Sequence, residues 1–211
     1  MGKVVFKCCK RAFDFLSALT LLVVISPLFL ILCLLVRVKI GKPIFFRQIR
    51  SGRYRKQFSI IKFRTMTNQT DINGCLLPDE KRQTKFGSFL RSTSLDELPE
   101  LFSIIKGDMS VIGPRPLPPS YDDCYSDREL KRFEVRSGLL PPDSVEQTAI
   151  ISWNKQLEYE ATYAENLSLF NDIRILVSTI RILFKRKETD YGTYVRPPLN
   201  EERSSWNTQN K

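Results

Sequence analysis

The chain of 211 residues contains no histidine. A His general base, a His metal ligand and a His-activated nucleophile are therefore excluded. No CxxC pair occurs. The five cysteines, Cys8, Cys9, Cys33, Cys75 and Cys124, are odd in number and scattered, which points to reduced thiols in a cytosol-facing protein. There is no Walker loop, no GxGxxG and no internal repeat. The absence of a DxD motif argues against a nucleotide-sugar transferase that holds its metal that way. Acids are nearly missing from the first 67 residues, where 14 Lys and Arg accompany a single carboxylate, Asp14. That stretch carries +13 and the remainder −3, against a net charge of +10. Charge of either sign is absent from Phe15 to Val36. The basic excess thus surrounds the most apolar part of the chain, which favours an anionic membrane surface over nucleic acid.

The length fits one domain with a core of its own. The uncharged run is long enough for a helix of ~20 residues to span a bilayer. It is too long for a cleaved signal peptide, and no small-x-small site follows it. Ser26-Pro27 lies at its middle, and a proline there kinks or breaks a helix. Each half, at about a dozen residues, reaches only ~18 Å, short of a ~30 Å hydrocarbon core. Both flanks are basic, with Lys7, Lys10 and Arg11 before and Arg37, Lys39 and Lys42 after. Positive flanks stay in the cytosol. The pattern favours a re-entrant hairpin, with a Pro-kinked spanning helix as the alternative.

From Pro43 the pattern changes. Pro43–Gln48 and Phe58–Arg64 are β-type runs around the basic turn 50–56, so a hairpin is expected. Alternation places Lys62 and Arg64 on one face, either as a solvated basic surface or as a phosphate-binding pair. Thr67–Gln83 reads as a polar loop and Lys85–Arg91 as a short helix. Ser94-Leu95-Asp96-Glu97-Leu98-Pro99-Glu100 then reads as a helix start, because Pro99 fits a first turn and Ser94 and Glu97 have capping-box spacing. Leu95, Leu98, Leu101, Phe102 and Ile105 form its apolar stripe, and Lys106-Gly107 its end. Asp96 and Glu97 would then sit where a helix dipole favours ionised carboxylates. Such a pair is either an ordinary first-turn cap or the source of a nucleophile or cation ligand. Val111-Ile112 suggests a buried strand. Arg115 lies between Pro114 and Pro116, either in a rigid surface turn or as a stiffly held phosphate ligand. Ser126–Arg136 looks helical and charged, and Ser137–Pro142 reads as a break. Trp153–Asn166 is a mixed helix. Ser168–Lys187 is an amphipathic helix with Leu169, Ile173, Leu176, Ile180 and Leu183 on one side, to be packed on the core or laid on a membrane surface. Glu188–Lys211 reads as a loose polar tail.

These pieces together resemble the bacterial sugar transferases, the monotopic polyprenyl-phosphate phosphoglycosyl transferases. The matching segments are Lys10-Arg11-Ala12-Phe13-Asp14, Ser26-Pro27-Leu28-Phe29, Lys62-Phe63-Arg64-Thr65-Met66, Ser94–Pro99, and Gly107-Asp108-Met109-Ser110 running into Gly113-Pro114-Arg115-Pro116. They occur in the family's order and cover roughly residues 7–187. The resemblance implies transfer of a sugar-1-phosphate from a UDP-sugar to polyprenyl (undecaprenyl) phosphate, with release of UMP and with Mg²⁺. It implies that Asp96 is the nucleophile and carries the phospho-sugar covalently, that Glu97 assists, and that the two hold the metal. It implies that Lys62, Arg64, Arg91, Asp108, Pro114, Arg115 and Pro116 serve the substrate and its phosphates, and that the membrane helix breaks at Ser26-Pro27.

The expected architecture is α+β: a small, mostly helical catalytic body with a short β-hairpin, on an N-terminal re-entrant membrane helix. Residues 1–42 would form the membrane helix with its basic flanks, 43–187 the cytosolic catalytic domain and 188–211 the tail. The implied location is the cytosolic face of the bacterial inner membrane, in contact with membrane lipids, at the first membrane step of a surface glycan pathway. One region departs from the family. A Pro-Gly-Ile-Thr-Gly stretch and a following Ala-Gln-Val-Asn-Gly-Arg are replaced over Ser137–Ile151. An inactive, membrane-anchored member acting as a binding or scaffold protein therefore stays open, as does the choice between monomer and homodimer. No RRM-like or helix-turn-helix signature supports nucleic-acid binding.

Overall fold

The computed structural model describes residues 3–146, 151–185 and 196–204. The uncharged run falls on two helices, α1 (Lys3–Val24) and α2 (Ser26–Lys39), bent by 67° at their junction. Pro27 has no N–H to give the carbonyl four residues back, Val23. The Ser26 hydroxyl donates to that carbonyl instead, at 2.8 Å. The ladder is intact on either side, with Ile25 N–H donating to Leu21 and Phe29 N–H to Ile25. Among the described residues no single helix is long and apolar enough to cross a membrane; the bent pair together has that length and apolar composition. Phe29, Leu32 and Val36 make the buried stripe of α2, while Leu28, Leu30, Ile31 and Leu34 are exposed.

The chain divides into two compact units. One comprises Phe15–Gln48 and Ser59–Lys106. Its core gathers Phe29, Leu32, Val36 and Ile40 with Phe63 and Leu90. The Phe29 and Phe63 rings lie 5.1 Å apart. The expected hairpin is present as β1 (Phe45–Ser51) paired with β2 (Gln57–Phe63). The polar loop after it holds isolated bridges, Met66 to Gln83 and Thr70 to Leu76, and a single turn, α3 (Asp79–Arg82). Thr84 caps α4 (Lys85–Ser92) by accepting from Gly87 N–H at 2.9 Å. α5 (Glu100–Lys106) closes the unit.

The other unit comprises Met1–Asp14, Ile49–Phe58 and Gly107–Lys211. β3 (Met109–Ile112), the expected buried strand, pairs in parallel with β4 (Ser137–Leu140), aligning Ser110 with Gly138. The segment read as a break is therefore a strand. Gly138 signals close backbone approach, since a Cβ there would lie 2.0 Å from the Gly113 nitrogen. The helix expected over 126–136 is a 3₁₀ segment over Glu129–Glu134, in which the neighbours Arg132 and Phe133 are both buried. α6 (Trp153–Glu165) and α7 (Leu169–Lys185) follow the expected bounds closely, and residues 186 and 187 lie outside the described residues.

α7 does not bury its apolar stripe. Leu169, Ile173, Leu176 and Ile180 are exposed, whereas Asp172, Ile175 and Ser178 are buried. Asp172 accepts from Lys10 Nζ at 2.8 Å and from the Tyr163 hydroxyl at 2.7 Å. Asp14 accepts from the Ser110 hydroxyl at 2.7 Å and from Val111 N–H at 3.1 Å. Within the stretch read as a tail, α8 (Leu199–Glu202) buries Leu199 against Leu117, Trp153 and Leu157. Arg203 pairs with both oxygens of Glu129. One apolar anchor and one two-pronged ion pair order a polar segment; residues 188–195 and 205–211 lie outside the described residues.

The parallel pair makes a checkable statement. Gly138→Ala should lower stability by roughly 2–4 kcal/mol, because its methyl group meets backbone that cannot step aside. Gly74→Ala, at φ +77° with nothing within 4 Å of the added Cβ, should cost only about 1 kcal/mol. Thermal unfolding of the two variants in detergent measures the contrast.

Candidate active site

The acidic stretch does not form the expected capping box. Ser94 is left-handed at φ 55° and makes no capping bond, and Leu95–Glu97 is a 3₁₀ turn. Pro99 again supplies the reason, since it cannot donate to Leu95. Bonds spanning three residues bridge the gap, from Glu97 N–H to Ser94, Leu98 to Leu95, Leu101 to Leu98 and Phe102 to Pro99. The α-helix proper therefore begins at Glu100, and Asp96 lies before it rather than in its first turn.

This placement changes the electrostatics. Asp96 is 9% exposed. Burial, then the neighbouring Glu97 charge, push its carboxyl above the usual range, while Lys62, a backbone hydrogen bond and Arg91 oppose them. Desolvation thus works against the ionised form that a helix start was expected to favour. Lys62, on β2, sits 2.6 Å from Glu97 Oε1 and 3.2 Å from Glu100 Oε1. The Arg91 Nε donates to the Thr65 hydroxyl at 3.0 Å, with the side chain otherwise toward solvent. Lys62, Arg91, Asp96, Glu97 and Glu100 thus belong to one unit. Glu100 was not singled out from the sequence, although it stands three and four residues after the acid pair, on helical spacing.

Arg64 lies just past the end of β2, is buried, and donates to the carbonyls of Ile40 and Lys42 beyond the end of α2. It is a staple for chain leaving the helix, not the face-sharing partner of Lys62. Burial lowers its pKa.

Asp108, Pro114, Arg115 and Pro116 are placed in the other unit. Pro114 is buried and its carbonyl accepts from Gly138 N–H at 2.9 Å. Arg115 is exposed, but its backbone is held on both sides: its N–H donates to Glu160 Oε1 at 3.2 Å and its carbonyl accepts from Arg132 at 2.5 Å. Arg132 and Glu160 form a buried ion pair at 2.7 Å, with side chains 2% and 0% exposed. The stiffness read from two flanking prolines is thus reinforced by a pair 28 residues apart in sequence, which no local pattern reveals. Gln156 links Glu160 to Arg196, and the Arg196 guanidinium stacks on Trp153 at 3.4 Å.

Asp143 adjoins this network. Its Oδ1 is buried without a hydrogen-bond partner. Burial, then the Glu160 charge, raise its carboxyl to about 6, with Arg115 and Arg196 opposing. Asp143 lies in the stretch where the sequence leaves the family pattern.

Among the described residues no three His, Cys, Asp or Glu side chains converge to enclose an ion. The adjacent Asp96 and Glu97 carboxylates are nevertheless hard-oxygen donors of the kind Mg²⁺ takes, one or two from protein with the rest from water and substrate phosphate.

The Asp143 environment has a consequence for stability. The folded carboxyl titrates near 6 and the unfolded one near 3.8, so the folded state binds more protons between these values. Stability due to this group is therefore full below the lower value and falls as pH rises through the upper one, by about 3 kcal/mol. Asp143→Asn should be more stable than the parent by about 1–3 kcal/mol at pH 7.5. Unfolding curves should converge below pH 4.

With this geometry in place, the comparisons with known proteins are informative. A sequence profile described as "Bacterial sugar transferase" matches residues 5–186. The uncharacterized sugar transferase EpsL of Bacillus subtilis (strain 168) is 44% identical over 172 residues, 82% of this chain and 85% of that protein. The exopolysaccharide production protein ExoY of Rhizobium meliloti (strain 1021) is 34% identical over 188 residues, covering 81% of this chain and 83% of its own length. The UDP-glucose:undecaprenyl-phosphate glucose-1-phosphate transferase of Klebsiella pneumoniae is 33% identical over 181 residues, 81% of this chain but 39% of the longer relative. The match runs through both units and every site residue named above except Arg196, and on it the chain belongs to the bacterial sugar transferase family.

Proposed function

We propose that the chain transfers a sugar-1-phosphate from a UDP-sugar to polyprenyl phosphate. The observation that carries the reading is the buried Asp96 carboxylate, with Glu97 beside it and Lys62 and Arg91 among the cations acting on it. Relatives named for the same exchange between UDP-sugars and undecaprenyl phosphate support it.

In the first half-reaction an Asp96 oxygen attacks the phosphorus bearing the sugar. The bond from that phosphorus to the bridging oxygen breaks, and UMP leaves with the electron pair. In the second, a phosphate oxygen of the polyprenyl phosphate attacks the same phosphorus and the Asp96 carboxylate is released. Lys62 and Arg91 offset the repulsion between the anionic reactants and lower the cost of an ionised Asp96. Glu97 holds Lys62 in place. Asp96 and Glu97 would hold Mg²⁺, which supplies further neutralisation of the diphosphate when bound. Arg115, on its clamped backbone, is assigned to substrate phosphate.

The bent helix pair is read as re-entrant, entering and leaving the cytosolic face of the bacterial inner membrane. Its kink, its exposed apolar side chains and its two basic flanks support this. An acceptor with a long apolar tail would then present its phosphate at headgroup depth, and the reaction would open a surface glycan pathway.

UMP release over a panel of UDP-sugars, with the full chain in detergent, tests the reaction. Asp96→Asn should lower turnover by roughly a thousandfold or more. Quenched reactions of the parent should carry a sugar-phosphate mass on Asp96. Turnover in Asp96→Asn equal to the parent would end the proposal. The pH profile supplies a second measurement. Asp96 must be ionised to attack, so kcat/KM should fall as pH drops through a value above the ordinary carboxylate range. Lys62→Met, which removes a stabilising cation, should move that limb to higher pH. For topology, Lys3→Cys and Lys42→Cys, each in a variant lacking the five native cysteines, should both resist a membrane-impermeant maleimide applied from the periplasmic side.

A further inference from the structure

A small half-open cleft of about 40 Å³ lies beside the start of α1, lined by Lys7, Lys10, Arg53 and Arg136 together with Asp14 and Glu134. That is room for a few waters or one tetrahedral oxyanion. Its charges are not balanced. Asp14 is engaged by Ser110 and Val111, and Lys10 by Asp172. The remaining cations face mostly neutral acceptors. Arg53 donates to the Glu134 carbonyl at 3.2 Å and to the Tyr54 hydroxyl at 2.6 Å, and Arg136 to the Gly107 carbonyl at 2.9 Å. Lys7 makes no ion pair or hydrogen bond among the described residues. The Arg11 guanidinium also packs at Gly107. The pKa of Arg136 is lowered by burial and further by Arg53 and Arg11, with Asp14 and Tyr54 opposing, so these cations repel one another. The carboxylate of Glu134, exposed at the rim, is the one negative group lining the cleft that has no such engagement among the described residues.

The backbone that delivers Arg53 is strained. Tyr54 and Arg55 follow it at φ 57° and 58°, a conformation costing roughly 1–2 kcal/mol for a residue with a Cβ. The turn is held by Arg55 donating to the Asp122 carbonyl at 3.1 Å and by Arg53 stacking on Tyr54 at 4.5 Å.

We infer that this cleft binds a phosphate oxyanion, separately from the Asp96 chemistry and independently of the transfer reading. Lys7 and Arg53 supply the charge-assisted hydrogen bonds, and Arg136 the charge at the back. Two sources have this chemistry, an anionic phospholipid headgroup and free phosphate. The lipid is favoured by α7, which Asp172 ties to Lys10 and which leaves Leu169, Phe170, Ile173, Val177 and Ile180 exposed as a face for acyl chains.

The test uses the full chain in a neutral detergent, titrated calorimetrically with dihexanoyl phosphatidylglycerol, inorganic phosphate and, as control, dihexanoyl phosphatidylcholine. Saturable binding of phosphatidylglycerol, weakened at least tenfold in both Lys7→Gln and Arg53→Gln, supports the site with lipid as its source. Saturable binding of inorganic phosphate with equal affinity and the same variant dependence supports the site with free phosphate as its source. Binding of neither probe, equal binding of phosphatidylcholine, or affinity unchanged in both variants overturns it. Lys7→Gln keeps the test sound, since that side chain makes no hydrogen bond or ion pair among the described residues.

Discussion

A proline nitrogen carries no hydrogen, and the parts of this protein that matter most are arranged around that fact. At Pro27 the missing donor ends one helix and starts another, and a serine hydroxyl takes over the abandoned carbonyl, so that the chain bends by 67° without an orphaned acceptor. At Pro99 the ladder is carried by three-residue bonds until α5 can begin. Asp96 sits in that irregular interval. Had an α-helix started at Ser94, Asp96 would have met free N–H groups at a helix end. It is instead enclosed, and its ionisation is supported by Lys62, one backbone hydrogen bond and Arg91.

The two units treat buried charge differently. Around Arg115 the charges are matched: Arg132 and Glu160 neutralise each other, and their leftover hydrogen-bonding capacity grips the Arg115 backbone. Removing one partner of such a pair leaves the other buried and unpaired, typically at a cost of about 3–5 kcal/mol. This is a rigid device. Around Asp96 the charges are crowded, with three carboxylates near one lysine. Such an arrangement makes ionisation of the buried carboxyl costlier than in water, with nearby cations opposing that cost. The cleft at the foot of α1 is the reverse case, with cations in excess.

Much of the fold was legible because the signals are local. The kink follows from one dipeptide, the hairpin from two β-type runs about a basic turn, and α4, α6 and α7 from periodicity read over a few turns. The acid pair and the Pro-Arg-Pro segment could be picked out because their chemistry is carried by adjacent residues. The readings that failed depend on distant partners. β4 looked like a break because Gly138 and Pro141-Pro142 punctuate it, and its reason for being a strand is Gly113, 25 residues earlier. Nor does anything near Arg64 in sequence announce its bonds to the carbonyls of Ile40 and Lys42.

Sequence by itself determined where helices must stop, which stretch is uncharged and where it breaks, and which family the motifs belong to. These are consequences of missing N–H groups, side-chain periodicity and residue order, all of which survive without coordinates. Only the tertiary structure decided the protonation balance of Asp96, the destination of Arg64, the clamp on Arg115 and the burial of Leu199. Each is a desolvation or pairing effect, and its size depends on which atoms from elsewhere in the chain displace water.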